Sequence, residues 1–197
     1  MNNFINPKLT KQVIICTKSQ SRRKLFKMIN LKFQYRSANI NEKAVKNLKN
    51  DKYDALKIAK AKATHLSKKN KNKIIITFDT TILHMGKTIY KCHTKKRCKN
   101  TLKSFNNTSH NLYTGMVFMI NNSLIRSSLT KTKIVFEKNK IIDVNKYVEK
   151  NFNQISSAVG CYNIEGKGKT FFKNIEKSYF NVIGIDMINF LKILRSI

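Results

Sequence analysis

The stretch IIITFDTTIL, residues 74–83, constrains this chain more than any other. It is rich in β-branched and aromatic residues, which predicts a strand. Its apolar part ends at Asp79, and a carboxylate there is costly unless it is paired or coordinated. In open α/β sheets the carboxyl ends of strands face the ligand crevice. The plainer alternative makes Asp79 a turn residue capping Thr80 or Thr81.

Strands and helices alternate around this run. Residues 12–16 read as a buried strand, 22–29 as a short helix, and 33–38 as a second strand. Leu56, Ala59, Ala63 and Leu66 share one face of a helix over about 52–68, before a solvated turn at 69–73. KTIY pairs back on the long strand across a turn at Met85-Gly86. Residues 94–105 are helical, 112–120 form a strand broken by Gly115, and 131–136 alternate as another strand. Asp143 is expected to cap a helix carrying Val144, Tyr147 and Val148. IEGKG reads as a loop, 182–185 as a short apolar run, and Ile185, Ile188, Leu191 and Leu194 as the face of a closing helix. The class is α/β. With no repeat and no long linker, residues 1–197 are expected to form a single domain.

At 41% hydrophobic the chain can bury a core, and no apolar run is long enough to cross a membrane. MNNFINPKLTK lacks the apolar stretch of a secretory signal, so a cytoplasmic location is expected. The formal net charge is +30. Lysines are spread throughout, and asparagine and isoleucine are also abundant. This is a compositional drift rather than a binding patch, and no specific nucleic acid is expected. A basic nucleic-acid-binding protein without catalysis is the alternative reading. CHTKKRC, from Cys92 to Cys98, has a wider gap than usual zinc pairs and no second ligand pair follows it. Reduced thiols are therefore expected.

CTKSQSRRKLF, from Cys16, joins the first strand to the first predicted helix. Arginines at a helix start oppose its partial positive charge unless an anion lies between them and the free N–H groups. Thr17, Ser19, Ser21, Arg22 and Arg23 suit a phosphate there. A serine cap with two solvated arginines explains the stretch equally well. Only ten residues are acidic. Asp51, Asp54, Asp143, Glu149 and Glu176 lie in polar, surface-like contexts. Glu165 sits beside glycines in IEGKG, while Glu42, Lys62 and Lys91 are unremarkable by local chemistry.

Taken in order, these stretches resemble one family. TKSQSRRKLF (17–26) aligns without a gap with a phosphate-binding S-x-S-P-R-R pattern. Asn41-Glu42 falls on a D-E pair, Ala61-Lys62-Ala63 on E-K-A, and Thr77-Phe78-Asp79-Thr80 on G-A-D-T. Tyr90-Lys91-Cys92 falls on G-K-P, and Tyr113-Thr114-Gly115 on Y-T-G. Val159 to Gly166 falls on A-G-x-Y-x-I-Q-G, and Asn181 to Ile185 on N-V-V-G-L. Nearly the whole chain resembles the Maf-like nucleoside triphosphate pyrophosphatases. The resemblance implies a Maf-like (inosine triphosphatase-like) fold, with a twisted mixed sheet and two lobes around a central cleft. It implies cleavage of nucleoside triphosphates between the α and β phosphates by Asp79 and Glu42, which would also hold a divalent metal cation, Mg²⁺ or Mn²⁺. Thr17, Ser19, Arg22, Lys62 and Lys91 would bind phosphate, and a homodimer is suggested. Gln20, Asn41, Ala61, Thr77 and Cys92 depart from the pattern. Ser21 and Glu165 resemble the 7-methyl-GTP branch and are read as base-specificity residues, so 7-methyl-GTP is the favoured substrate and dTTP or UTP the alternative. A carboxylate can bridge guanine's adjacent N–H donors but repels the carbonyls of uracil and thymine. Thr80 after Asp79 instead resembles the dTTP/UTP branch.

Overall fold

The structure, a computed structural model, describes residues 5–45 and 51–197; the first residues of MNNFINPKLTK lie outside it. Helix α1 (Pro7–Gln12) opens with proline, whose missing N–H costs nothing at a helix start, and Asn6 Oδ1 accepts from Lys8 N–H. It leads into β1 (Val13–Cys16), which is wholly buried. There follow α2 (Gln20–Met28), β2 (Gln34–Arg36), α3 (Glu42–Val45), α4 (Asp54–Ser67), β3 (Ile74–His84) and β4 (Lys87–Ile89). The chain continues through α5 (Lys95–Phe105), β5 (Ser109–Ile120), β6 (Ser123–Phe136) and α6 (Ile141–Ile155). A 3₁₀ turn (Lys167–Phe171) precedes β7 (Phe172–Glu176), α7 (Tyr179–Ile183) and α8 (Met187–Arg195).

The seven strands form one mixed sheet, in the order β2-β1-β3-β5-β6-β7, with β4 paired to the far end of β3. β1 runs parallel to β2 and β3; the other pairings are antiparallel. Side chains alternate across the sheet with the strand's period of two. Val13, Ile15, Ile74, Ile76 and Phe78 pack with Phe26 of α2 and Phe190 of α8. Ile14, Cys16, Ile75 and Val117 face the other way, against Ala59, Ala63 and Leu66 of α4. Farther along β3, Ile82 joins a different core with Leu112, Ile134, Phe136, Leu102 and Phe105 of α5, and Val148 and Ile155 of α6. The fold is thus mixed α/β, with helices packed on a seven-stranded sheet around three cores. Asp79 to Thr81 occupy the stretch of β3 between Phe78 and Ile82.

Several elements differ from expectation. β5 is not broken at Gly115, which pairs with Asp79 on one side and Leu129 on the other. A Cβ at Gly115 would lie 2.5 Å from Leu56 Cα, so glycine is there to let α4 lie on the sheet. β6 begins at Ser123, and β7, with its alternating polar sequence FKNIE, was not foreseen. Lys140, not Asp143, occupies the cap of α6; Asp143 lies in its first turn. α8 buries Met187, Phe190 and Leu194, while Ile188 is exposed. Asp54 is buried at the start of α4 rather than solvated.

Candidate active site

The junction between β1 and α2 uses its hydroxyls as caps. Ser19 is the N-cap of α2, its Oγ accepting from Arg22 N–H at 3.3 Å. The buried Thr17 accepts from Ser19 N–H through Oγ1 at 3.0 Å. Arg23 donates to Thr17 O at 3.1 Å and lies over the Tyr35 ring. Ser21 is half-buried in the first turn of α2.

Arg22 turns inward rather than to solvent. Its Nε donates to Gly184 O at 2.9 Å and its Nη2 to Thr80 Oγ1 at 3.0 Å, with the guanidinium over Phe78. Burial lowers its pKa from the usual guanidinium value, against the opposing pull of Asp79. Two bonding directions of the fork are thus occupied by the protein. The packing at Gly184 is tight: φ is +100°, and a Cβ would fall 2.5 Å from Arg22 Nη2. Thr80 Oγ1 lies 3.2 Å from Thr114 Oγ1, and Thr114 in turn donates to Asn181 O at 3.3 Å. Asn181 is fully buried and donates through Nδ2 to Thr130 O and Thr132 Oγ1. This chain of hydroxyls and amides binds α2, β3, β5, β6 and α7 together beneath Asp79.

Lys62 joins the acids. From α4 its Nζ lies 2.7 Å from Asp79 Oδ1 and 2.7 Å from Glu42 Oε1, at the start of α3. Glu42 and Lys62, plain by local chemistry, therefore join Asp79 in one cluster although the three are far apart in sequence. Burial acts against the Lys62 ammonium, but Asp79 and Glu42 outweigh it and hold its pKa above the usual lysine value. Burial pushes the Asp79 carboxyl above the ordinary carboxylate range, opposed by Lys62 and Arg22. A carboxylate poised nearer neutrality suits a general base. The turn alternative for Asp79 does not hold, since it is a central strand residue paired with Gly115.

Thr77, one of the departures, costs nothing visible. Its hydroxyl is buried and donates to Ala59 O of α4 at 2.6 Å. Lys91 is exposed beyond β4 and forms no ion pair among the described residues. Glu165 is exposed in the turn after α6, its N–H donating to Asn163 Oδ1. Neither is bonded to the Lys62 cluster. Glu165 does act on α7: burial first and its negative charge second raise the Tyr179 pKa. Tyr179 and Phe180 expose their rings there, 6.3 Å apart and edge to face. Thr114, Asn181 and Gly184 entered the sequence reading only as parts of motifs, and Thr80 only as a turn neighbour of Asp79 and a branch marker. Their role in fixing Arg22 was not legible, because it depends on contacts between distant segments.

Among the described residues no helix is long and apolar enough to cross a membrane. The model of the family described as Maf-like protein matches residues 12–197. A dTTP/UTP pyrophosphatase of Clostridium botulinum (strain Okra / Type B1) is 28% identical over 181 residues, covering 90% of this chain and 92% of the relative. One of the same name from Lacticaseibacillus casei (strain BL23) is 27% identical over 182 residues, covering 92% and 97%. A nucleoside triphosphate pyrophosphatase of Pelagibacter ubique (strain HTCC1062) is 25% identical over 195 residues, covering 95% and 100%. With the family match spanning the sheet and every residue of the Lys62 cluster, this chain belongs to the Maf-like family.

Proposed function

We propose that this chain hydrolyses nucleoside triphosphates to the monophosphate and pyrophosphate. The observation that carries the reading is Lys62 held between Asp79 and Glu42, beside the inward-turned Arg22, in a chain similar over its length to named pyrophosphatases. Asp79 as carboxylate takes a proton from the attacking water as the water oxygen bonds to phosphorus. The α–β bridging bond breaks, and pyrophosphate leaves with its electron pair. Lys62 holds the two carboxylates in place and offsets negative charge on the phosphates. Arg22, Thr17 and Ser19 border the same junction, and Lys91 supplies a free ammonium from the segment after β4.

The donor set fits a hard divalent cation. Asp79 and Glu42 offer carboxylate oxygens, each 2.7 Å from one Nζ and so within twice that distance of each other. These two residues would hold Mg²⁺ or Mn²⁺, which when bound polarises a phosphoryl oxygen.

For the base, dTTP and UTP are the first reading. Relatives of that name match 90% and 92% of the chain, and Thr80 follows Asp79. The second reading, 7-methyl-GTP, is favoured by Glu165, whose negative charge is felt by the exposed Tyr179. An aromatic face and an acceptor-only carboxylate suit a cationic purine with paired N–H donors. Pyrophosphate release from dTTP, UTP, GTP and 7-methyl-GTP, with divalent metal and with chelator, tests both. Release from none of them overturns the proposed activity. A preference for 7-methyl-GTP that Glu165→Gln abolishes replaces the first reading with the second.

A further inference from the structure

We propose that Cys92, Cys98 and Cys161 form a thiolate site for one thiophilic d¹⁰ cation, Zn²⁺ in particular, apart from the carboxylate cluster. Their three Sγ atoms all lie within 4.8 Å of one another, and all three residues are buried. None of them is in a disulfide. They come from different segments: Cys92 precedes α5, Cys98 lies in its first turns, and Cys161 follows α6. The spacing of Cys92 and Cys98 is wrong for a zinc pair on one loop. The fold supplies the missing ligand from far downstream.

The geometry is near what a metal requires. Zn–S bonds of ~2.3 Å at tetrahedral angles place sulfurs about 3.8 Å apart. Moving these sulfurs inward by at most about 1 Å closes the site. Thr101 Oγ1, 3.2 Å from Cys92 Sγ, is an oxygen at the edge of the triad for a fourth position. Cys161 has φ +60°, a left-handed conformation unfavourable for a residue with a Cβ, directly after Gly160 at +85°. The chain holds this strained bend at the residue that completes the triad.

Binding exchanges protons for metal. Three thiols and Zn²⁺ give a tris-thiolate complex of net charge −1, and three protons leave to solvent. Affinity therefore rises with pH. Soft thiolates select Zn²⁺, Cd²⁺ or Cu⁺ over Mg²⁺ and Mn²⁺, so this site does not compete with Asp79 and Glu42 for the catalytic ion.

Titration of the reduced full chain with Cd²⁺, followed by the ultraviolet sulfur-to-cadmium charge-transfer band, tests the assignment. The band should saturate at one Cd²⁺ per chain, persist in Cys16→Ala and be lost in Cys98→Ala. Cd²⁺ should displace bound Zn²⁺, and Zn²⁺ alone should protect three thiols from alkylation in the native protein and raise the melting temperature of the parent but not of Cys98→Ala. The protection experiment needs no variant, so a misfolded Cys98→Ala leaves the proposal open to refutation. Absence of the band at stoichiometric Cd²⁺, its survival in folded Cys98→Ala, or unaltered alkylation with Zn²⁺ would overturn it.

Discussion

Asp79 is held between opposing influences: burial favours its neutral form, and Lys62 and Arg22 favour the carboxylate. The balance lies above the ordinary carboxylate value, which has a kinetic consequence. Only the ionised form accepts a proton, so turnover should fall as pH drops through the raised pKa. The acid limb of the pH–rate profile should therefore lie above the ordinary range of an aspartate carboxylate. Lys62→Met removes the nearest cation and should move that limb upward. A limb that stays in place would show that Asp79 is not the titrating base. Asp79→Asn should fold and lose at least about two orders of magnitude in pyrophosphate release, in the range for loss of a general base. Full turnover by a folded Asp79→Asn enzyme would exclude the role.

Two glycines set how closely the elements approach one another. Gly115 lets the backbone of α4 rest on β5, and α4 carries Lys62 to Asp79. Gly115→Ala should lower stability by roughly 1–3 kcal/mol, the usual cost of overpacking, and should reduce turnover with it. Gly184→Ala combines a positive φ with a clash on Arg22 and should cost more than about 1 kcal/mol. Chemical denaturation measures both; parent-like stability in either variant would contradict the packing described. At this scale the sequence was legible where one periodicity dominated. β3, α4 and the β3–β4 turn fall where their patterns place them, because apolar spacing alone determines them. β7 and the first half of β6 were hidden because their polar, half-exposed strands are held by pairing rather than by a buried face. The face of α8 was misread because Met187 and Phe190, not Ile188, meet the core. In the Lys62 cluster only Asp79 carried a local signal, a carboxylate ending an apolar strand. Glu42 and Lys62 became visible only through family motifs, because the three residues meet by tertiary folding.

The net charge of +30 acts on the whole molecule and raises the question of whether site residues matter beyond bulk attraction. A field from dispersed lysines draws any polyanion to the surface, so association with a triphosphate should weaken as salt screens it. Arg22 differs from a surface lysine in kind. Its guanidinium is half-buried, bonded to Gly184 O and Thr80 Oγ1, and close enough to Asp79 to affect its ionisation. Lys68 is exposed at the end of α4 and stands for the general field. Arg22→Ala and Lys68→Ala each remove one positive charge. Lys68→Ala should change kcat/KM only slightly, with the difference vanishing as salt is raised. Arg22→Ala should lower kcat/KM by at least about tenfold, since about 1.4 kcal/mol is tenfold and a charged hydrogen bond is typically worth ~1.5–3 kcal/mol. That loss should remain at high salt, because a short-range contact is screened little. Steady-state kinetics of both variants across a salt series separates the two effects. Equal losses, or an Arg22→Ala defect that disappears with salt, would reduce Arg22 to one charge among forty.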